Sequence, residues 1–584
     1  MIDNLNRTRF WLVPLFLGML AFAGCGGEEL LLAERPVATS TPAVMGGVRP
    51  DLAVVEPPEE TLSDAAPLSA EQLSTLSTEA QLALAIVPQR DLRDLALRLN
   101  PARDEIPVVA NAERPDYEVG DTKSFWVHNL QTNSNFEIMA ELLHKNDVAY
   151  AWVEQGTPND ASAIAASIDR FGEIAYPAET ALFGSEWNPG VDNDPRLHVL
   201  HATGIGAGVA GYYSSADQYS RLANDFSNEK EMFYINLDWL NRTRDYTYYE
   251  TVLAHELQHM IHWYRDRNEE TWLNEGLSEY AQEVAGYPPD TTFTRTFANA
   301  PDTQLNTWRE SNQGNAEHYG GAYLFVAYLA QRFGQDFIGV LVDQPANGLD
   351  GLDATFDAVG LDLTAEEVFA DWIVANYADD PNALAQDGLY GYRAVEQAPP
   401  RLEATVERLP AAFDTTVNNY AADYYLLTAE GDAMIDFAGM PRTGLAGAAP
   451  YSGERAWWSH RTDDSNTRLT RRFDFGDVAP GEPLDLTATL WWDIESDYDY
   501  GYVVVSRDGE KWEILPAQRT TTDNPSGNSF GHAYTGQSGD GETPIWVTER
   551  YDISDYAGGE VYVRFEYVTD DAVNRAGWFV DDVA

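Results

Sequence analysis

The sequence predicts a multidomain protein in which an α+β domain is followed by an all-β C-terminal region built around a β-sandwich. Three observations lead there. The chain has 584 residues, room for three or four domains at roughly 150 residues each. Between about 160 and 395, short strand-like runs alternate with long segments of helical periodicity. After Pro399 the texture becomes short apolar runs between Gly, Asp, Asn and Pro turns. A hydrophobic content of 44% with 22% charged residues is a globular balance. The 37 basic residues face 94 acidic ones, a formal net charge of −57. That field repels phosphate backbones and excludes nucleic acid as a natural partner, while clustered carboxylates favour hard cations.

At the N-terminus, Arg7 and Arg9 precede an apolar run from Phe10 to Ala23. It is short for a permanent membrane span and right for the core of an export signal. The run ends Ala21-Phe22-Ala23-Gly24-Cys25, and Cys25 is the single cysteine, so no intrachain disulfide and no cysteine-based zinc site is available. The ending resembles a bacterial lipobox, with Phe22 where an aliphatic residue is commoner. The resemblance implies a lipoprotein signal over 1–25, lipidation of Cys25 and attachment through a lipid anchor to the outer face of a bacterial membrane; plain secretion is the alternative. Residues 26–68 are rich in Pro, Ala, Ser, Thr and Glu and read as a disordered tether. Residues 69–105 carry leucines at helical spacing on both sides of Pro88, two helices that serve as a pro-segment or as scaffold. Residues 106–158 alternate in short runs such as Phe125-Trp126-Val127 and read as a small β-rich unit. The α+β domain follows over 159–400, with strands near 197–201 and 231–237 and a capping box from Thr364 to Glu367. A short β domain over 401–447 and a sandwich over 448–584 complete the chain.

The chemistry lies between Tyr248 and Arg267, in His255-Glu256-Leu257-Gln258-His259. On a helix, residues four apart share a face with their Cβ atoms about 5–6 Å apart, so both imidazoles can reach one zinc ion. Glu256, one position on, sits beside the open side of the metal, where a carboxylate serves as general base on zinc-bound water. Val252, Leu253, Leu257, Met260 and Ile261 supply the apolar surface that buries such a helix. Catalytic zinc takes three protein ligands, and the third candidate is Glu275 in Trp272-Leu273-Asn274-Glu275-Gly276-Leu277-Ser278-Glu279. Fifteen residues separate it from His259, enough for one helix to end and a second to cross back. Glu279 falls on the same face as Glu275 and can accept the free N–H of a ligating histidine.

These residues resemble the gluzincin metallopeptidases, with the Ala254 to Ile261 and Leu273 to Ser278 stretches closest to the hyicolysin family of secreted bacterial peptidases. The resemblance covers about 115–395. It departs from thermolysin in its shorter spacer, and from many relatives in having Glu279 where they carry Asp. It implies a zincin-type domain over 159–400, a zinc cofactor and cleavage of peptide bonds in extracellular proteins or peptides. It further implies an oxyanion-holding side chain opposite the metal, for which Tyr319, with His318 as the alternative, matches in Glu317-His318-Tyr319-Gly320-Gly321. His262 lies seven residues after His255, about 10 Å along the axis, too far to share the zinc between the first two histidines, and is expected to be a hydrogen-bonded neighbour and not a metal ligand. The Asp192-Asn193-Asp194 run is expected to be a turn before a strand more than a calcium loop.

In the C-terminal region, Trp457-Trp458-Ser459, Trp491 to Tyr502 and Gly577 to Asp582 resemble the jelly-roll domain of immune inhibitor A and its MAM-like relatives. That similarity, over about 450–584, implies a sandwich with calcium as a second candidate cofactor, held by Glu495, Asp499 and Asp581. The sequence therefore points to an exported zinc peptidase with protein or peptide substrates. The rival is a cell-surface adhesin or carbohydrate-binding protein that keeps the fold without catalysis, against which stands the intact base Glu256.

Overall fold

The computed structural model describes residues 75–584 apart from 101, 310–312, 383–387, 441–442 and 542. The signal, Cys25 and the tether lie outside the described residues. Of the 69–105 segment, two helices are described, α1 (Thr78–Ala83) and α2 (Leu92–Leu99), on either side of Pro88. Asp91 caps α2 by accepting from the backbone of Arg93 and Asp94.

The first layer is a six-stranded sheet of β1 (Thr122–Asn129), β2 (Ser134–Lys145), β3 (Ala149–Glu154), β4 (Leu197–Ala202), β5 (Gly211–Tyr213) and β6 (Met232–Asn236), in spatial order β1-β2-β3-β4-β6-β5. The strands of 106–158 therefore do not form a unit of their own. β3 pairs in parallel with β4, Ala149 opposite Leu197 through Val153 opposite His201, because β3 is apolar on both faces and needs cover on both. Ala149, Ala151 and Val153 face one core with Leu197, Val199, Phe233 and Ile235; Tyr150 and Trp152 face a second with Leu200, Met232 and Tyr234.

Helices pack on the first of those faces and on one another: α3 (Ala161–Arg170), α4 (Tyr176–Phe183), α5 (Leu237–Thr243), α6 (Tyr246–Arg265), α7 (Thr271–Val284), α8 (Thr291–Asn299), α9 (Ala316–Phe333), α10 (Gln335–Val342), α11 (Gly348–Val359) and α12 (Ala365–Ala378). The capping box of α12 is present, Thr364 and Glu367 each bonding the other's backbone. α6 starts at Asp245, whose carboxylate accepts from Tyr248 N at 3.0 Å. Its apolar residues Leu253, Ala254, Leu257, Met260 and Ile261 are fully buried. Two glycines set the helix spacing on α9: a Cβ on Gly276 of α7 would meet the Ala322 carbonyl oxygen at 2.9 Å, and one on Gly320 would meet the Phe293 carbonyl oxygen at 2.1 Å.

Beyond the helices, β7 (Leu402–Val406) and β8 (Tyr424–Leu427) form a two-stranded parallel ribbon. The C-terminal region is a sandwich of two four-stranded sheets. One orders β10 (Asn466–Asp474), β15 (Glu560–Val568), β12 (Tyr500–Ser506) and β13 (Glu513–Ile514); the other orders β14 (Val547–Asp552), β11 (Asp485–Asp493), β16 (Gly577–Asp581) and β9 (Trp457–Trp458). Leu490, Trp492, Val503, Val505, Phe565 and Trp578 fill the space between them. The outer face of β12 is covered by α2, whose Leu92, Leu95, Ala96 and Leu99 pack with Tyr500, Tyr502, Val504 and Trp512. The helical N-terminal segment thus belongs structurally to the sandwich. Arg98 seals the contact on the buried Glu566 carboxylate at 2.6 Å.

Candidate metal centre

α6 and α7 run on from one another through the turn 266–270, which brings His255, His259 and Glu275 together. His255 Nε2 lies 3.0 Å from His259 Nε2 and 3.2 Å from Glu275 Oε2, and His259 Nε2 lies 3.6 Å from the same oxygen. That oxygen is buried without a hydrogen-bond partner. The far ring nitrogens are held elsewhere. His255 Nδ1 is 3.2 Å from Glu279 Oε1, and His259 Nδ1 is 2.5 Å from Asn274 Oδ1 and 3.1 Å from Ser278 Oγ. Each Nδ1–H has an acceptor, so once an Nε2 proton is given up its lone pair is directed at the shared point. Two imidazoles and one carboxylate form a donor set that fits zinc.

Charge agrees with this. Burial opposes the Glu275 carboxylate, but the charges of His259 and His255 and a hydrogen bond from Tyr319 outweigh it and hold its pKa below the usual range. Burial also opposes a proton on His255, yet the carboxylates of Glu275 and Glu279 raise its pKa well above normal. Together they supply negative potential at the point where a cation would sit.

Glu256 is 5% exposed, and burial pushes its carboxyl up to about 7 against the pull of His255. It accepts from the backbone of Tyr213 in β5. β5 is the terminal strand of the sheet, paired only with β6. Gly211 lets it come close: a Cβ there would stand 2.7 Å from Val252 Cγ1 and 3.4 Å from Glu256 Oε1. Tyr319, at the start of α9, has its ring 6.3 Å from that of His255 and stacks on Phe293 at 5.0 Å. Burial raises its phenol pKa well above the ordinary value, so it stays a proton donor. His318 turns away to pack on Trp308 at 5.7 Å.

The remaining sequence candidates fall elsewhere. Glu495 and Asp499 converge with Asp570. Asp581 does not join them: it sits on β16, where its carboxylate accepts from the backbone of Ser452 and of Asp582. The run Trp578-Phe579-Val580-Asp581 is a strand paired with β11, and that pairing fixes Asp581 away from the turn carrying Asp570. Asp192 is engaged by Lys230 at 2.7 Å and His198 at 3.2 Å. Sequence reading missed Asn274, Ser278, Asp570 and the Gly211–Tyr213 strand. Asn274 and Ser278 had a visible signal, since they stand four apart on the helix that carries Glu275.

The architecture is therefore an α+β domain bearing a buried His-Glu-x-x-His helix, joined to a C-terminal β-sandwich. Residues 433–584 match the family described as Immune inhibitor A-like, MAM domain. The pre-pro-metalloprotease PrtV of Vibrio cholerae serotype O1 (strain M66-2) is 32% identical over 144 residues, 25% of this chain and 14% of that protein. Bacillopeptidase F of Bacillus subtilis (strain 168) is 31% identical over 150 residues, 25% of this chain and 9% of that protein. Both likenesses concern the C-terminal quarter, so the chain spans a small fraction of the relatives it matches. A solved 4-O-methyl-alpha-glucuronidase of family GH115 aligns at 11% identity with a TM-score of 0.14, too low to carry any argument. No described helix is long and apolar enough to cross a membrane.

Proposed function

We propose that the protein is a zinc-dependent peptidase of the gluzincin type, its catalytic domain lying within about 159–400 together with the β1–β3 strands. The observation that carries this is the convergence of His255 Nε2, His259 Nε2 and Glu275 Oε2 with the Glu256 carboxylate buried on the same helix. Zinc held by the three would polarise the scissile carbonyl and acidify the attacking water. Glu256 takes the proton of that water as oxygen bonds to the carbonyl carbon, then passes it to the amine nitrogen as the C–N bond breaks. The Tyr319 hydroxyl donates to the oxyanion. The edge of β5 that β6 leaves free, its Tyr213 amide held by Glu256, aligns an extended peptide as an added strand. The metalloprotease names among the relatives support the same reading.

The proposal extends to the rest of the chain. Cys25 is the lipid attachment point of an exported protein, and Glu495 and Asp499, with Asp570 in place of Asp581, hold calcium. An adhesin or carbohydrate-binding protein would have no use for a buried base beside a metal. The decisive experiment is Glu256→Gln, with zinc content and peptide-library turnover measured on one preparation. The variant should keep its zinc and lose about 10²-fold to 10⁴-fold in rate. A variant as active as wild type removes Glu256 from the mechanism, and a zinc-loaded wild type that cuts nothing favours the binding protein.

A further inference from the structure

One turn beyond His259, α6 ends in a second group of metal-binding side chains. His262, Asp266 and Glu269 each offer a ligand atom, and these lie within 4.8 Å of one another. All three are buried, at 0%, 3% and 3% exposure. His262 Nε2, Asp266 Oδ2 and Glu269 Oε2 each lack a hydrogen-bond partner. Their other polar atoms do not. Glu269 Oε1 accepts from the backbone of Glu270 at 2.6 Å and of Gly348 at 2.7 Å. Gln89 Nε2 reaches Asp266 Oδ1 at 3.5 Å. His262 Nδ1 meets the Gln258 amide at 3.4 Å.

Three buried polar atoms left unsatisfied in one place are each costly, and two buried carboxylates this close repel one another when both are ionised. We propose that His262, Asp266 and Glu269 bind a second divalent ion of the zinc class, with a structural role. The imidazole argues for a transition ion over calcium, which prefers oxygen ligands throughout. Two carboxylates and one neutral imidazole balance the charge of a divalent ion. Ligand bonds of about 2.0–2.2 Å would draw the three atoms together from within the 4.8 Å that bounds their separations. In the structure Gln258 Nε2 faces His262 Nδ1 at 3.4 Å and Ser278 Oγ donates to Gln258 Oε1 at 2.5 Å. For Nε2 of His262 to be a ligand, Nδ1 must carry the proton, so the proposal requires the Gln258 amide turned over, its carbonyl toward Nδ1 and its NH2 toward Ser278 Oγ. Ser278 then donates to the Asn274 carbonyl oxygen, 3.0 Å away, and every group in the chain has a partner. The same Ser278 touches His259 Nδ1, so one hydroxyl connects the two sites. The ion would pin the turn 266–270 that sets Glu275 against the two histidines.

The test is zinc stoichiometry of the full chain after equilibration with zinc and removal of excess. Wild type should hold two equivalents, with one each in His255→Ala and in the isosteric double variant Asp266→Asn/Glu269→Gln. One equivalent in wild type that survives in the double variant and vanishes in His255→Ala overturns the second site and leaves the peptidase reading intact. One equivalent with the opposite pattern supports the second site and removes the first. If the double variant does not fold, anomalous scattering at the zinc edge from wild-type crystals decides. A peak between His262, Asp266 and Glu269 supports the site, and its absence in zinc-replete crystals overturns it.

Discussion

Glu279 Oε1 stands 3.2 Å from Nδ1 of His255, while Nε2 of the same ring stands 3.2 Å from Glu275 Oε2. One imidazole is thus held between two carboxylates of a single helix, one turn apart. In the proposed site Glu275 would be the ligand and Glu279 would fix the tautomer that serves it. Glu279→Gln keeps the size and loses the charge, so zinc affinity should fall about 10-fold to 100-fold, measured by competition with a chromophoric chelator. An unchanged affinity would make Glu279 a bystander.

His255→Ala leaves two protein ligands at the catalytic position. The zinc equivalent held there and peptide turnover should disappear together. Full activity with undiminished zinc in that variant would show that the ligand assignment is wrong.

Tyr319→Phe removes a hydroxyl without disturbing the stack on Phe293. If that hydroxyl holds the oxyanion, kcat should drop about 10²-fold to 10³-fold with KM and zinc content nearly unchanged. Steady-state kinetics on one peptide separates this from a packing role, for which kcat would stay within a few-fold.

His201 governs part of the acid stability. Its Nδ1 lies 2.8 Å from the Trp152 carbonyl oxygen and its Nε2 2.7 Å from the Tyr249 hydroxyl. A carbonyl only accepts, so Nδ1 carries the proton and the neutral ring is satisfied. Burial pushes the His201 pKa down to about 4 from 6.5. Above pH 6.5 both folded and unfolded chains hold it neutral, and its contribution is complete. Below 6.5 only the unfolded chain takes up the proton, so stability falls with pH until about 4, by about 3 kcal/mol in all. Urea unfolding across that range should show the fall, and His201→Gln should flatten it by about one proton.

Leu95 is fully buried between α2 and the sandwich. Leu95→Ala should cost about 2–5 kcal/mol, visible as a lowered melting temperature. No change would mean that α2 is detachable.

What could be read in the sequence was local. His255, His259, Glu275 and Glu279 follow from helical spacing within 25 residues, and the capping box at Thr364 needs four. What could not be read depends on contacts between distant residues. Nothing near Ala149 announces that β3 will pair with Leu197–Ala202, so the first three strands read as a separate unit. Asp570 joins Glu495 and Asp499 only because the sandwich brings the turn after β15 beside the one after β11. Asp581, adjacent to another acid in an acid-rich strand end, looked equally suitable. β5 has three residues, too few for any periodicity, and its importance lies in what it borders.

The contact between α2 and β12 bears on how such a protein could be matured. Excising residues 92–99 would strip the cover from Tyr500, Tyr502 and Trp512 and take from the buried Glu566 carboxylate its nearest arginine, Arg98 at 2.6 Å, leaving Arg468 at 3.3 Å and Arg564 at 3.9 Å. A protease that trims the N-terminus while preserving the fold must therefore stop short of Arg90, which is itself clasped by Asp464 at 2.5 Å. Everything from that clasp onward would travel with the finished protein, and N-terminal sequencing of the processed form should begin before it.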